Sequence, residues 1–438
     1  MPVLKLPGAV DLLALHRRQP QRYPALLQTL GRDGWDCLFA FPEGIETGVG
    51  LAEGQGFFSH LDRRWQAERQ PVELESASLP FHGGWFAYLG YELLHGIEPS
   101  VPARALAGTV PLFWLARVPA AILIDAEKKT TWLFAEPGRE HLIETMRQDL
   151  AHIEAAWSPE PVLGLAAGLR EEAAEQFLDG VRRIQAYIRE GDVFQVNLSR
   201  RWSLSGQTDS ADLYAALRQA NPAPFAGLLQ MGDTAIVSSS PERLVSVRDG
   251  WAETWPIAGT YPRSPDAAED ARLREELLAH PKERAEHVML VDLERNDLGR
   301  VCEPGSVRVD ELAQVYSYAF VHHIESRVRG RLRPEVGPGR LLAALFPGGT
   351  ITGCPKVRTM QIIRELEPTP RLAYTGSMGY INHDGSLDFN ILIRTLMSSS
   401  NGIEFSTGAG IVADSVPERE LAETRAKARG LLRALGRA

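Results

Sequence analysis

The sequence predicts a mixed α/β fold. Three observations carry that prediction: short apolar runs of strand composition recur along the 438 residues, amphipathic helices separate them, and a Pro/Gly-rich stretch, SPEPVLGLAAGLR, interrupts the pattern near residue 160. A chain of this length can bury a large core, as one big domain or two intermeshed ones. The break defines regions 1–160 and 161–438.

The first region opens with a predicted helix near Tyr23 to Leu30 and a strand at CLFAF, Cys37 to Phe41, followed by LPFHGGWFAYLGYELLHGIE. The runs PLFWLARVPAAILID and TTWLFAE are rich in residues that suit a pleated, half-buried surface. EHLIETMRQDLAHIEAAW then repeats its apolar residues at helical spacing.

In the second region Phe177, Val181, Ile184 and Ile188 mark one face of a helix stopped by Gly191. VFQVNLSRRW alternates as a strand, with Phe194, Val196 and Leu198 on one side and Gln195 and Asn197 on the other. TAIVSSSPERLVSV is a strand interrupted at Ser240 and Pro241; an edge kink and a functional site explain the interruption equally well. In WPIAGTYPR a tight turn at Gly259 presents Thr260. PKERAEHVMLVDLERNDLGRV sets Glu283 and Glu286 at i, i+3 before an apolar run, where buried carboxylates are costly unless paired or metal-bound. FPGGTITGCPKVRTMQIIREL is a Thr/Gly loop feeding a helix, a place where an anion can be held, although the spacing is neither a P-loop nor a dinucleotide fingerprint. LDFNILIRTLM reads as one strand with Asp388, Asn390, Leu392 and Arg394 on one face. Its arginine needs an anionic partner, either a structural carboxylate or a substrate.

The chain ends in STGAGIVADSVPERELAETRAKARGLLRAL. A strand is expected to break at Gly408 and Gly410, and a helix to start at Ser415 with Glu418 completing a capping box. Glu420, Glu423 and Lys427 then share one helix face. Spacing alone favours an ordinary solvated face. The other reading is a small anion held partly through a hard cation.

The net charge of −9 argues against a nucleic-acid surface. Three cysteines without metal or CxxC spacing fit a reducing compartment, no apolar run has the length of a membrane span, and the N-terminus lacks a signal-peptide pattern. A cytoplasmic protein without a membrane or nucleic-acid partner is expected.

Taken together, QVNLSRR, SSSPERL, PIAGT, EHVMLVDLERNDLGRV, HHIES, FPGGTITGCPKVR, YTGSMGYINHDG, ILIRT and GAGIVADSVPERELAETRAKA resemble the chorismate-utilising enzymes, in unbroken order over about residues 170 to 436. The first region is similar to the aminating members through LPFHGGWFAYLGYEL. The resemblance implies an α/β (α+β) fold with a large two-sheet β-sandwich core wrapped by helices, like that of anthranilate synthase component I, and a chorismate-binding catalytic domain at 161–438. It implies that Glu286 and Glu423 bind Mg²⁺ with Glu283 and Glu420 as an outer pair, and that the metal grips the ring carboxylate. It makes Arg394 and Tyr374 the holders of the enolpyruvyl carboxylate, with Gly408, Ala409, Gly410 and Lys427 completing the anion cradle. Glu242 corresponds to the acid that protonates the departing C4 hydroxyl, and Thr260, His323 and Thr352 to orienting residues.

Water-using members carry a lysine base where this chain has Gln195, so the resemblance implies amination by ammonia or a glutamine amide. A missing LLES segment and the loop GGTITGCPK favour aminodeoxychorismate synthase, whereas Ala258, in place of the lysine of a PIKGT motif, is as in anthranilate synthases. The balance predicts the 4-amino product, with anthranilate synthase component I as the alternative. No cysteine lies in a GxCxG context, so a separate glutamine amidotransferase subunit is expected to supply the ammonia.

Overall fold

A computed structural model of the chain describes residues 3–30, 34–70, 78–106, 110–153, 168–317 and 321–436, the side chains of Thr260 and Lys282 aside. Most of the expected linker, and the break near residue 160, lie outside these residues.

Among the described residues the strands form a twelve-stranded and a ten-stranded antiparallel sheet. The two sheets share a core. Alternation along each strand divides its side chains: in Trp35–Ala40, Leu38 packs toward the outer helices while Phe39 joins Phe86, Tyr88, Ile236, Met378 and Met397 in a separate apolar cluster drawn from both sheets. Helices Leu12–Arg18, His141–Ala151, Ser210–Ala220 and Pro417–Ala434 cover the outside of the larger sheet. Phe57–Glu68, Pro281–Gly299 and Pro338–Leu345 cover the smaller one. The expected two-sheet core wrapped by helices is present.

Both sheets are built from both sides of residue 160. Ala25–Gln28 pairs with Phe225–Met231 in the larger sheet, and Gly84–Leu89 with Ser377–Asn382 in the smaller.

The helix with Phe177, Val181 and Ile184 on its buried face forms over Ala174–Arg189, and the alternating strand over Gln195–Leu204. Four local expectations change. The predicted helix near Tyr23 to Leu30 is a strand, Ala25–Gln28, because its apolar run is short and is claimed by neighbours on both sides. The final strand, Gly402–Ile411, runs unbroken through Gly408 and Gly410. Its helix starts at Pro417 without a capping box, since the Ser415 hydroxyl accepts from Val412 N–H at 3.1 Å instead. Gly259 forms a bulge within Ile257–Pro262 rather than a turn.

Candidate active site

Two neighbouring crossovers between the sheets place the central residues. Thr234–Ser240 belongs to the larger sheet and Arg243–Arg248 to the smaller, so Pro241 and Glu242 span the gap. Leu387–Asn390 lies in the smaller sheet and Thr395–Ser399 in the larger. The run read as a single strand is therefore two, with Arg394 at the second switch in a left-handed conformation, φ 52°. The crossovers bond to each other: Ile391 N–H donates to the Glu242 carbonyl at 3.0 Å, Ser239 N–H to the Arg394 carbonyl at 3.1 Å, and the Ser240 hydroxyl to the Ile391 carbonyl at 2.5 Å.

Glu242 is buried, and burial pushes its carboxyl up to about 7. The Thr350 hydroxyl, 2.5 Å from Oε1, and the Lys427 charge pull the other way. Burial lowers the Arg394 guanidinium while Tyr374 and Glu423 support its charge; Tyr374 senses both Arg394 and Glu242. His323, held down to about 4 by burial, is neutral at pH 7. Its Nδ1 lies 3.0 Å from the Gly259 carbonyl, which can only accept, so the ring proton sits on Nδ1. Lys427 Nζ donates to the Gly408 carbonyl at 3.0 Å and pairs with Glu423 Oε1 at 2.7 Å. Glu242, His323, Tyr374, Arg394, Glu423 and Lys427 thus form one electrostatic group.

The glycines of the last strand make room for a second wall. Gly408 and Gly410 pair with Ser199 and Asn197. A Cβ on Gly408 would meet Asn197 Oδ1 at 2.6 Å and the Tyr374 hydroxyl at 2.8 Å; one on Gly410 would meet Gln195 Nε2 at 2.2 Å. Ala409 instead turns into the helix-lined core. Gln195 Oε1 and Asn197 Oδ1 are buried with no hydrogen-bond partner among the described residues, so this wall offers two acceptors to an N–H or O–H donor.

The Thr/Gly loop closes the site from below. Thr352 is wholly buried: its hydroxyl donates to the Gly348 carbonyl at 2.9 Å and its carbonyl accepts from Asn197 N–H at 2.9 Å. Thr350 is the loop residue whose hydroxyl reaches Glu242. Gly353 has φ 127°, and a Cβ there would lie 2.1 Å from the Gln195 carbonyl. Thr260 pairs with His323 through the backbone; its side chain lies outside the described residues.

Glu283 packs its carboxylate against Gly259, 3.0 Å from where a Cβ would stand, and Glu286 follows on the same helix. Glu420 is buried on the C-terminal helix, one turn before Glu423. These are hard carboxylate oxygens of the kind Mg²⁺ prefers. Among the described residues no group of three or more His, Cys, Asp or Glu could hold a metal ion, so a metal held by Glu286 and Glu423 would need the substrate carboxylate and water to complete its shell.

Two functional candidates escaped the sequence. Thr350 carried no signal to separate it from Thr352. Glu294 is buried, and burial, with Asp297 nearby, pushes its carboxyl up to about 8; it also senses Glu242. Its position, i+8 from Glu286 on the same helix face, was the available clue.

Comparisons with known proteins bear on the family and the fold. Residues 43–433 match the family described as chorismate binding enzyme. The chain is 39% identical to anthranilate synthase component 1 of Bacillus subtilis (strain 168), covering 90% of this chain and 83% of that protein. It is 41% identical to aminodeoxychorismate synthase component 1 of the same organism, covering 81% and 77%. The crystal structure of anthranilate synthase component I from Streptococcus pneumoniae TIGR4 superposes with a TM-score of 0.79 at 29% identity, covering 92% of this chain and 93% of that one. The chain belongs to the chorismate-binding enzyme family.

Proposed function

We propose that this member of the family aminates chorismate at C4, converting chorismate and ammonia into 4-amino-4-deoxychorismate, with a separate glutamine amidotransferase subunit supplying the ammonia. The observation that carries the reading is the carboxamide wall: among the described residues Gln195 Oε1 and Asn197 Oδ1 are unpartnered acceptors, lining the glycine strand that Lys427 reaches at the Gly408 carbonyl. A carboxamide can receive an N–H donor but cannot take a proton from water, which supports ammonia over water as nucleophile.

In this reading Arg394 and Tyr374 bind the enolpyruvyl carboxylate, the guanidinium as a two-pronged donor. Lys427 and the backbone at Gly408, Ala409 and Gly410 balance the remaining charge. A Mg²⁺ held by Glu286 and Glu423, with Glu283 and Glu420 around them, would supply a cationic grip on the ring carboxylate. Glu242, partly protonated near neutral pH, gives its proton to the C4 oxygen as the C4–O bond breaks. Neutral His323 and the Thr350–Thr352 loop hold the ring in place. Ala258 offers no amine, so a transient nucleophile on the ring would come from solution, as ammonia or water.

Ala258 is also the observation that favours the second reading, anthranilate synthase component I, which forms anthranilate and pyruvate. Incubating the pure chain with chorismate, Mg²⁺ and an ammonium salt, and identifying products by mass and fluorescence, separates the two. 4-Amino-4-deoxychorismate is expected. Anthranilate with pyruvate would transfer the assignment to the second reading, and a hydroxylated isomer would overturn amination. Glutamine should replace ammonium only after the amidotransferase is added.

A further inference from the structure

A buried ion pair lies beneath the pocket, formed by residues that none of the roles above uses. Arg371 and Glu367 are both buried. Nε and Nη2 of Arg371 donate to the two Glu367 oxygens at 2.9 and 2.7 Å. Nη1 donates to the Ile351 carbonyl at 3.0 Å and the Thr375 hydroxyl at 3.3 Å, and Nη2 also to the Asn197 carbonyl at 2.7 Å. All five guanidinium N–H groups are used. Glu367 Oε1 accepts in turn from the Ser199 N–H at 2.8 Å and hydroxyl at 2.9 Å.

The turn that follows is held from the first region of the chain. Glu92 accepts from the N–H groups of Arg371 and Leu372 at 2.7 and 3.0 Å, and Tyr91 N–H donates to the Leu372 carbonyl at 2.8 Å. Leu372 and Thr375 have φ of 54° and 61°, conformations that the chain does not hold unaided. The guanidinium also lies 4.9 Å from the Tyr91 ring and 5.5 Å from that of Tyr374.

A buried ion pair is a weak source of stability, because desolvating two charges offsets most of their attraction. This one does something more specific. Its acceptors lie on the three segments that carry the pocket: the strand of Gln195 and Asn197, the loop of Thr350 and Thr352, and the turn of Tyr374. We propose that Arg371 is a positioning residue that keeps these three segments in register, with Glu92 fixing the turn from the first region; the proposal rests on the reading of this pocket as the chorismate site. Lysine, with three donors on a flexible stem, cannot reproduce the arrangement.

The test compares Arg371→Lys and Glu367→Gln with Leu228→Ala, a core change on a strand that carries none of the pocket residues and none of the Arg371 acceptors, which serves as a control for general loss of stability. Backbone hydrogen exchange is followed in peptides covering residues 195–199, 349–353 and 371–376, and kcat and KM for chorismate are measured with ammonium. Arg371→Lys is expected to exchange faster in all three segments together and to raise KM by roughly tenfold or more, with a smaller change in kcat. Leu228→Ala, compared at equal loss of Tm, should leave the three segments and KM unchanged. Faster exchange confined to 371–376, or kinetics that merely follow Tm as in the control, would overturn the proposal. If Arg371→Lys does not fold, Glu367→Gln, which leaves the other acceptors in place, decides by the same exchange pattern. A parent enzyme that leaves chorismate untouched counts against the function proposed above, whereas the clamp stands or falls on the exchange data.

Discussion

The Thr350 hydroxyl donates to Glu242 Oε1 at 2.5 Å, linking the Thr/Gly loop to the carboxyl at the crossover between the sheets. A donor to a carboxylate favours its ionised form, so Thr350 offsets part of the upward push that burial gives Glu242. If Glu242 is the acid, kcat/KM for chorismate should fall as pH rises through about 7. Thr350→Val removes the donor and should move that descending limb to higher pH, while lowering kcat by roughly tenfold through lost orientation. A pH–rate profile of the two proteins checks both; an unmoved limb would separate Glu242 from the titration.

Glu294 gives a stability prediction. Its folded value is raised from the ordinary 4.5 to about 8, chiefly by burial, so the native state binds more protons than the unfolded chain between those values. Stability attributable to this group is therefore present at low pH and lost as pH rises through about 8. Glu294→Gln, which cannot ionise, should gain on the parent by roughly 4 kcal/mol in stability between pH 5 and pH 9. Urea unfolding at the two pH values measures it, and equal differences at both would show that ionisation is not the cause.

The two glycines of the last strand should respond differently to a methyl group. Gly408→Ala meets the Leu198 carbonyl at 2.8 Å as well as Asn197 and Tyr374, so it should cost about 1–3 kcal/mol of stability and raise KM for chorismate. Gly410→Ala meets the far end of Gln195, which can swing away. It should fold with little loss, yet raise KM for ammonium roughly tenfold by displacing the carboxamide. Thermal melts and separate titrations of the two substrates distinguish these outcomes.

Chelation tests the carboxylates. Activity of the parent should disappear with EDTA and return with Mg²⁺. Glu286→Gln and Glu423→Gln should each raise the Mg²⁺ concentration for half-maximal rate by about tenfold or more, since each removes a charged oxygen donor. Glu423→Gln additionally loses the 2.7 Å partner of Lys427. A Glu286→Gln enzyme with the parent's Mg²⁺ dependence would remove that residue from the metal site.

Much of the fold was legible in the linear chain where periodicity was long and strong. The helix Ala174–Arg189 and the strand Gln195–Leu204 follow directly from spacings of 3.6 and 2, and the ordered motifs point to the family that the comparisons then establish. Short runs were not legible, as the strand Ala25–Gln28 illustrates: three apolar residues and a glutamine carry no period, and pairing with strands on both sides, one of them some 200 residues away, decides their state.

The sequence by itself determined the chemistry available to the site: the carboxylates, the cations, the carboxamide in place of a base, and the small residues that leave space. Tertiary structure alone decided how these are used. The interruption at Pro241 and the strand containing Arg394 read as separate local features, yet both are passages between sheets and they bond to each other. Neither the bond from Thr350 to Glu242, nor the charge coupling of Glu294 to Glu242, nor the five donors of Arg371 can be inferred from spacing. Each depends on contacts between segments remote in sequence, and such contacts are fixed by strand register and sheet crossover, which local periodicity does not encode.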